Sequence, residues 1–474
     1  MDELVRLTAR EAVAKLARRE VSPLELIEAA LARISETDGA LNALPTLCPE
    51  RARGHAERLM AMPAEDAPPW HLHGLPIAVK DMTEVAGVRT TFGSPIYADH
   101  VPERSGYEVE RLEENGAIVL AKSNTPELAA GAHTFNEVFG HTHNPWNTTL
   151  TPGGSSGGSA VALAVGQVWL ATGSDMGGSL RIPASYCGVV GIRPAPGRVA
   201  AGPRRIVYQA LTVAGPMARN VADLALMLDA QCGAHPDDPL SLPRPEVPFL
   251  EAALQPAPPR RVAYSRDLGV VPVAAEVAGI CAAAAQSFAG LGAAVEEACP
   301  DLSDAEDIFQ TLRAAHFAAD KAPLLDEHRS QLKPEIVWNI EKGLSLSADE
   351  IGRAERARTA LFHRAVGFFD DYDLLLSPAV VVPPYDGALR YVTEVEGTKF
   401  ENYVNWLALS FAITLTTCPA ISVPCGLTES GLPVGLQIVG PPRGEAKVLA
   451  AAALFEAMQP FAAMVPTEVS GPPS

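Results

Sequence analysis

Leu24, Ile27, Leu31 and Ile34 recur at helical spacing behind Ser22-Pro23-Leu24-Glu25. That tetrapeptide reads as a helix start, with Ser as cap, Pro at the first position and Glu three residues after the cap. Residues 1–60 look helical. Ile77-Ala78-Val79 is a short apolar run that predicts a buried strand, and Lys80 continues it. Tyr107 to Asn115 has a helical pattern, and Gly116 turns the chain into the apolar run Ala117 to Ala121. Strand, helix, strand is the signature of a parallel αβ sheet.

Further on, Ala160 to Val165 is Ala-rich and suits a buried helix, and Val168 to Thr172 suits a buried strand. A helix is predicted from about Val221 to Cys232, and the Pro-rich stretch Gly233 to Arg260 reads as a long surface connection. Arg261 to Ser265 restarts a strand. Helical periodicity then dominates from about Val273 to Phe369, with Asp301 to Arg364 as a helical layer. Leu374 to Pro378 and Ala420 to Pro424 are predicted strands, and Gly431 to Gly440 a hairpin-like return into the sheet. Strands near both ends imply an α/β fold with one mixed β-sheet assembled from distant segments, the middle helices being an elaboration. The whole chain, 1–474, is read as a single domain: N-terminal helices (1–60), a core (70–232), a helical elaboration (262–370) and a return to the sheet (371–474).

Two clusters of glycine and serine bracket the Ala-rich helix: Gly153 to Ser159 (GGSSGGS) and Gly177-Gly178-Ser179. A helix of about ten residues climbs roughly 15 Å at ~1.5 Å per residue. A strand of about six residues returns roughly 20 Å at ~3.3 Å per residue. An antiparallel helix and strand therefore bring Ser155 and Ser179 together at one sheet edge, although they are 24 positions apart. Glycine lets the backbone bend and approach a ligand closely. Free N–H groups before a helix can hold a developing oxyanion, here those of Met176, Gly177, Gly178 and Ser179.

Serine needs a base to become a nucleophile. Lys80 follows three apolar strand residues, so desolvation would lower its pKa and leave it neutral near pH 7, as a general base requires. The bland reading is a lysine whose stem packs while its ammonium reaches water or Asp81. Lys122 follows its own strand in the same way and is the rival. A relay in which Ser179 attacks, Ser155 passes the proton and Lys80 receives it uses both glycine clusters. Other schemes fit less well. Gly153 to Gly157 matches GxSxG, but a loop, Asn144 to Pro152, precedes it where a nucleophile elbow needs a strand. Ser330 to Lys333 matches SxxK in a charged, exposed-looking segment without SDN or KTG. His71/His73 and His141/His143 form HxH pairs with no carboxylate pattern beside them, so no metal is expected.

A net charge of −19 argues against nucleic-acid binding. The seven cysteines are scattered without CxxC, which suits reduced thiols in a cytoplasm. The first twenty residues are charged throughout and carry no apolar signal-peptide core. The weakly polar run Leu407 to Gly426 is broken by Pro419 and Pro424 and reads as core, not membrane.

GGSSGGSA followed by GSDMGGSLRIPASYCGVVGIRP resembles the amidase signature family, as do GLPIAVKD upstream and PAISVPCG and GLPVGLQIVG downstream. The likeness runs from about Leu24 to Gly440. It implies an αβα-layered fold around a mixed sheet, and hydrolysis of a small-molecule amide through an acyl-serine, without cofactor or metal. Carried over by motif, the resemblance makes Lys80 the base, Ser155 the bridging serine behind a cis peptide bond, and Ser179 the nucleophile. Met176, Gly177 and Gly178 form the oxyanion hole, and Lys122 becomes structural. Within the family, the A-type subunits of amidotransferases match in length and motif. They usually carry an SSLDQIGP-like run where this chain has Tyr208 to Pro216 (YQALTVAGP), which favours a free-standing amidase. Fatty acid amide hydrolase-like members carry an N-terminal membrane segment not seen here. An amidotransferase component supplying ammonia to a partner and a silent binding protein stand as alternatives, and a homodimer is left open. Phe400, Tyr403 and Trp406 are candidate aromatic walls of the entrance.

Overall fold

In the computed structural model, residues 2–62, 67–459 and 469 are described. The helix Pro23–Leu41 begins as the sequence dictates. Ser22 Oγ accepts from Glu25 N at 3.2 Å, and Glu25 Oε2 accepts from Ser22 N at 2.7 Å. Its buried face carries Leu26, Ile27, Ala30 and Ile34, with Leu24 and Leu31 at the margin.

Eleven strands form one mixed sheet. From one edge, Thr46–Leu47 pairs antiparallel with Ala117–Ser123, which runs parallel to Leu75–Lys80, which runs parallel to Leu170–Asp175. The middle of the sheet is antiparallel: Leu170–Asp175 meets Val213–Ala218, then Val190–Arg193, Ala420–Leu427 and Pro433–Val439. Leu374–Pro378 is antiparallel to Pro433–Val439. The far edge, Arg261–Tyr264 and Ala294–Glu297, is parallel again. Helices flank the sheet, and the return expected over Gly431 to Gly440 is the strand Pro433–Val439, antiparallel to Ala420–Leu427. Strands 75–80, 117–123, 213–218 and 433–439 are buried along their whole length, which is why each reads as a near-continuous apolar run.

Four sequence expectations shift. The N-terminal region read as helical holds the short edge strand Thr46–Leu47, too short to show a pattern. The strand after the Ala-rich helix is Leu170–Asp175, later than Val168 to Thr172. A helix, Phe249–Leu254, interrupts the Pro-rich connection. The helical region from 273 contains an edge strand, Ala294–Glu297, whose mostly exposed AVEE sequence offers no apolar alternation to betray it.

The Ala-rich helix is Gly157–Ala164, and every residue of it is buried. A Cβ on Gly158 would stand 2.4 Å from Asn124 N and 2.6 Å from Ala43 O, so only glycine allows this close approach. Away from the sheet, Leu128, Phe317, Leu332, Ile336 and Ile340 make a smaller apolar cluster, against which Phe92 and Tyr97 pack. That cluster seats helices Ala305–His328 and Pro334–Ser345. Among the described residues no helix is long and apolar enough to cross a membrane.

Candidate active site

Lys80 is the last residue of its strand, and Ser174 and Asp175 end the parallel neighbour Leu170–Asp175. The carboxyl ends of parallel strands are where open αβ sheets gather ligands, and both glycine-serine turns lie there. Ser155 precedes helix Gly157–Ala164, and Ser179 precedes helix Arg181–Cys187. The two turns meet as the helix-and-strand path predicts, with Ser156 N–H donating to the carbonyl of Ser179 at 3.2 Å. The Gly154–Ser155 peptide bond is cis.

The Lys80 side chain is 1% exposed. Its Nζ lies 2.7 Å from Ser155 Oγ, 2.9 Å from Ser156 Oγ and 3.0 Å from Ser174 Oγ. No carboxylate pairs with it among the described residues. Burial lowers its pKa to about 7, with the charges of Asp175 and Glu108 opposing. Asp81, the partner imagined in the bland reading, turns the other way: Lys122 Nζ reaches Asp81 Oδ1 and Thr90 Oγ1, each at 2.8 Å. Both members of that ion pair are buried, so Lys122 is a structural lysine. Ser156 and Ser174 escaped the sequence reading. Ser156 sits beside Ser155 in GGSSGGS, and a strand ending in Ser-Asp at the same sheet edge was the available signal for Ser174.

Asp175 anchors the second turn. Its carboxylate accepts from Gly178 N and Leu180 N, both at 3.1 Å, and from Arg181 Nη2 at 2.8 Å and Nε at 3.0 Å. Burial would raise its pKa, but the Arg181 guanidinium and the other donors outweigh that and hold it at about 2. Of the proposed oxyanion donors, Gly178 is therefore already engaged. Its φ of +105° and a would-be Cβ only 2.4 Å from Ser410 Oγ explain the glycine instead. The N–H groups of Met176, Gly177 and Ser179 make no hydrogen bond to another described residue.

A cavity of about 520 Å³ opens over this turn and is lined by Ser155, Ser174, Met176, Gly177 and Ser179. Its aromatic walls are Phe92, Tyr97, Phe309 and Phe317. Phe400, Tyr403 and Trp406 do not line it. Tyr403 and Trp406 are buried, with Tyr403 hydrogen-bonded to Asn339 and Trp406 edge-on to Tyr385. Spacing alone could not separate core aromatics from cavity aromatics. Ser330 is exposed at the surface, while Lys333 turns inward to the carbonyl of Ala130. His71 and His73 stack edge to face, 4.4 Å between ring centres. No group of three or more His, Cys, Asp or Glu among the described residues is arranged to hold a metal ion.

Comparison with known proteins places the chain in a family. Residues 25–449 match the family described as Amidase. The chain is 35% identical over 469 residues to an acylamidase from Rhodococcus erythropolis, spanning 98% of this chain and 97% of that protein. It is 36% identical over 475 residues to the A-type subunit of the glutamyl-tRNA(Gln) amidotransferase from Anaeromyxobacter dehalogenans, with 96% of each covered. Among solved structures, a bacterial aryl acylamidase of the amidase signature enzymes superposes with a TM-score of 0.91 at 28% identity, covering 98% of this chain and 99% of that one. The chain thus belongs to the amidase signature family, and it is an enzyme that hydrolyses carbon–nitrogen amide bonds.

Proposed function

We propose that this chain is a free-standing amidase that cleaves small carboxylic amides through an acyl-Ser179 intermediate, with Ser155 as proton bridge and Lys80 as base. The observation that carries this reading is a buried amine that, among the described residues, has no carboxylate partner and bonds only to hydroxyls, beside the cavity that Ser179 lines. Neutral Lys80 Nζ takes the Ser155 proton while Ser155 Oγ takes that of Ser179, whose oxygen bonds to the amide carbon. The carbonyl oxygen becomes an oxyanion, which the N–H groups of Met176, Gly177 and Ser179 receive. As the tetrahedral centre collapses, the proton returns along the same path to the leaving nitrogen, and ammonia or an amine departs. Water then adds to the acyl-serine by the same relay and releases the carboxylic acid.

Ser179→Ala is expected to abolish both amide turnover and labelling by a serine-directed fluorophosphonate. Normal turnover by that variant would overturn the assignment. The amidotransferase reading has support in the likeness to A-type subunits across nearly the whole chain. It predicts ammonia release only when a partner protein is added, whereas the free-standing reading predicts release by the purified chain alone.

A further inference from the structure

The cavity over Ser179 carries more positive charge than the chain as a whole prepares for. Arg204, Arg205, Arg313 and Lys321 face it, against Glu84, Glu108 and Asp320, in a protein of net charge −19. Two of the three carboxylates are spoken for: Glu84 meets His100 at 3.0 Å, and Asp320 meets Lys321 at 2.7 Å. The third, Glu108, is 5% exposed, accepts from Thr83 Oγ1 at 2.5 Å and leaves Oε2 without a partner. Burial raises its pKa to about 7, so at neutral pH it carries only part of a charge. His316, also facing the cavity, is pushed by burial down to about 4 and adds no charge at neutral pH.

The arginines are the opposite case. Arg313 is 7% exposed, and none of the three makes an ion pair with a described residue. Its guanidinium carbon stands 4.2 Å from the Phe317 ring centre and 5.4 Å from that of Tyr403, with one nitrogen donating to Asn339 Oδ1. Close to two aromatic rings and bonded to Asn339, the guanidinium is held in place and still has further N–H groups, whose planar fork suits a carboxylate. Arg204 makes no hydrogen bond to a described residue, and the charges of Asp238, Glu108 and Asp320 act on it only through space. A buried guanidinium facing an enzyme cavity without an anion is expected to find one in its ligand.

Resting on the amidase reading above, we propose that Arg313 and Arg204 are specificity-determining residues and that the preferred substrates are amides bearing a carboxylate, of the ω-amic acid class. A bound carboxylate would also favour protonated Glu108, which removes a competing negative charge from the cavity wall.

The test compares glutaramate with valeramide, two five-carbon primary amides that differ in the terminal carboxylate, by the rate of ammonia release. The wild type is expected to favour glutaramate at least tenfold in kcat/KM, and Arg313→Gln and Arg204→Gln each to reduce that ratio at least tenfold, mainly through KM. Equal use of the two amides by the wild type, or an unchanged ratio in both variants, overturns the proposal. Arg204 lies outside the packed helices, so its variant still decides if Arg313→Gln does not fold. Calorimetric titration of glutaramate and valeramide into Ser179→Ala reads the preference without turnover. Tighter glutaramate binding to Ser179→Ala, lost when Arg313→Gln is added, supports it even where the acyl-serine assignment fails. Equal binding sinks it even where amides are hydrolysed.

Discussion

Replacing Lys80 by methionine keeps an unbranched chain as far as Cε and deletes the amine proposed to accept the serine proton. A lysine at its ordinary value of 10.5 would be neutral in roughly one molecule in 3,000 at pH 7. With burial bringing it to about 7, about half the molecules hold a free amine at that pH. A positioned general base contributes roughly 10²–10⁴ in rate, about 3–5 kcal/mol of barrier. The expected outcome is therefore a fall of that size in kcat/KM for Lys80→Met near neutral pH. The reactive form is the unprotonated amine, so the wild-type profile should climb tenfold per pH unit below about 7 and level off above it. In Lys80→Met that limb should vanish, leaving a slow rate that grows with hydroxide. Lys80→Arg should not restore it, because a guanidinium stays charged. Initial rates of ammonia release across this range measure both effects. A limb near pH 7 that survives in Lys80→Met would refute the role of the amine.

The same depression has a cost in stability. Between about pH 7 and 10.5 the unfolded chain holds a proton on Lys80 that the folded chain has lost, so this group's penalty shrinks as pH rises through that window. At and below neutral pH the penalty is about 4–5 kcal/mol, offset in part by the bonds to Ser155, Ser156 and Ser174 at ~1 kcal/mol each. Urea unfolding should show Lys80→Met gaining on the wild type at neutral pH and losing that advantage towards pH 10.5.

Glu108→Gln removes a negative charge that favours protonated Lys80, so the rising limb should move to lower pH. A limb that stays in place or moves up would show that the carboxyl does not act on the amine. Lys122→Met strands the buried Asp81 carboxylate and should cost about 3–5 kcal/mol in urea unfolding while the limb near pH 7 stays where it is. A shifted limb there would reopen the question of which lysine is the base. Asp175→Asn leaves Arg181 and Arg193 buried without their counter-ion, at a cost of about 3–5 kcal/mol, and loosens the turn before Ser179. Labelling of Ser179 by a fluorophosphonate should slow in that variant, and an unchanged labelling rate would deny Asp175 its part in holding the turn.

The choice between Lys80 and Lys122 shows where reading the sequence stops and why. Each lysine follows an apolar strand and each is fully buried, so hydrophobic pattern treats them alike. Asp81 is next to Lys80 in the chain, which made it the natural partner on paper. Successive residues of a strand face opposite sides, however, so Asp81 shares its face with Val79 and not with Lys80. Lys122 stands opposite Val79 in the parallel pairing, and that register puts it on Asp81's side. One carboxylate thus neutralises Lys122, and Lys80, the proposed base, is left among hydroxyls. Alternation is legible in a single sequence; the register between two strands some 40 residues apart is not. The same division runs through the site. Glycine content and helix length were enough to bring the Ser155 and Ser179 turns together, because those are local properties. The cavity walls could not be read that way. Phe309 and Phe317 come from a helix some 130 residues beyond the serines, and its packing, against the main core at Ile308 and Leu312 and against the smaller apolar cluster at Phe317, decides which of its faces lines the cavity.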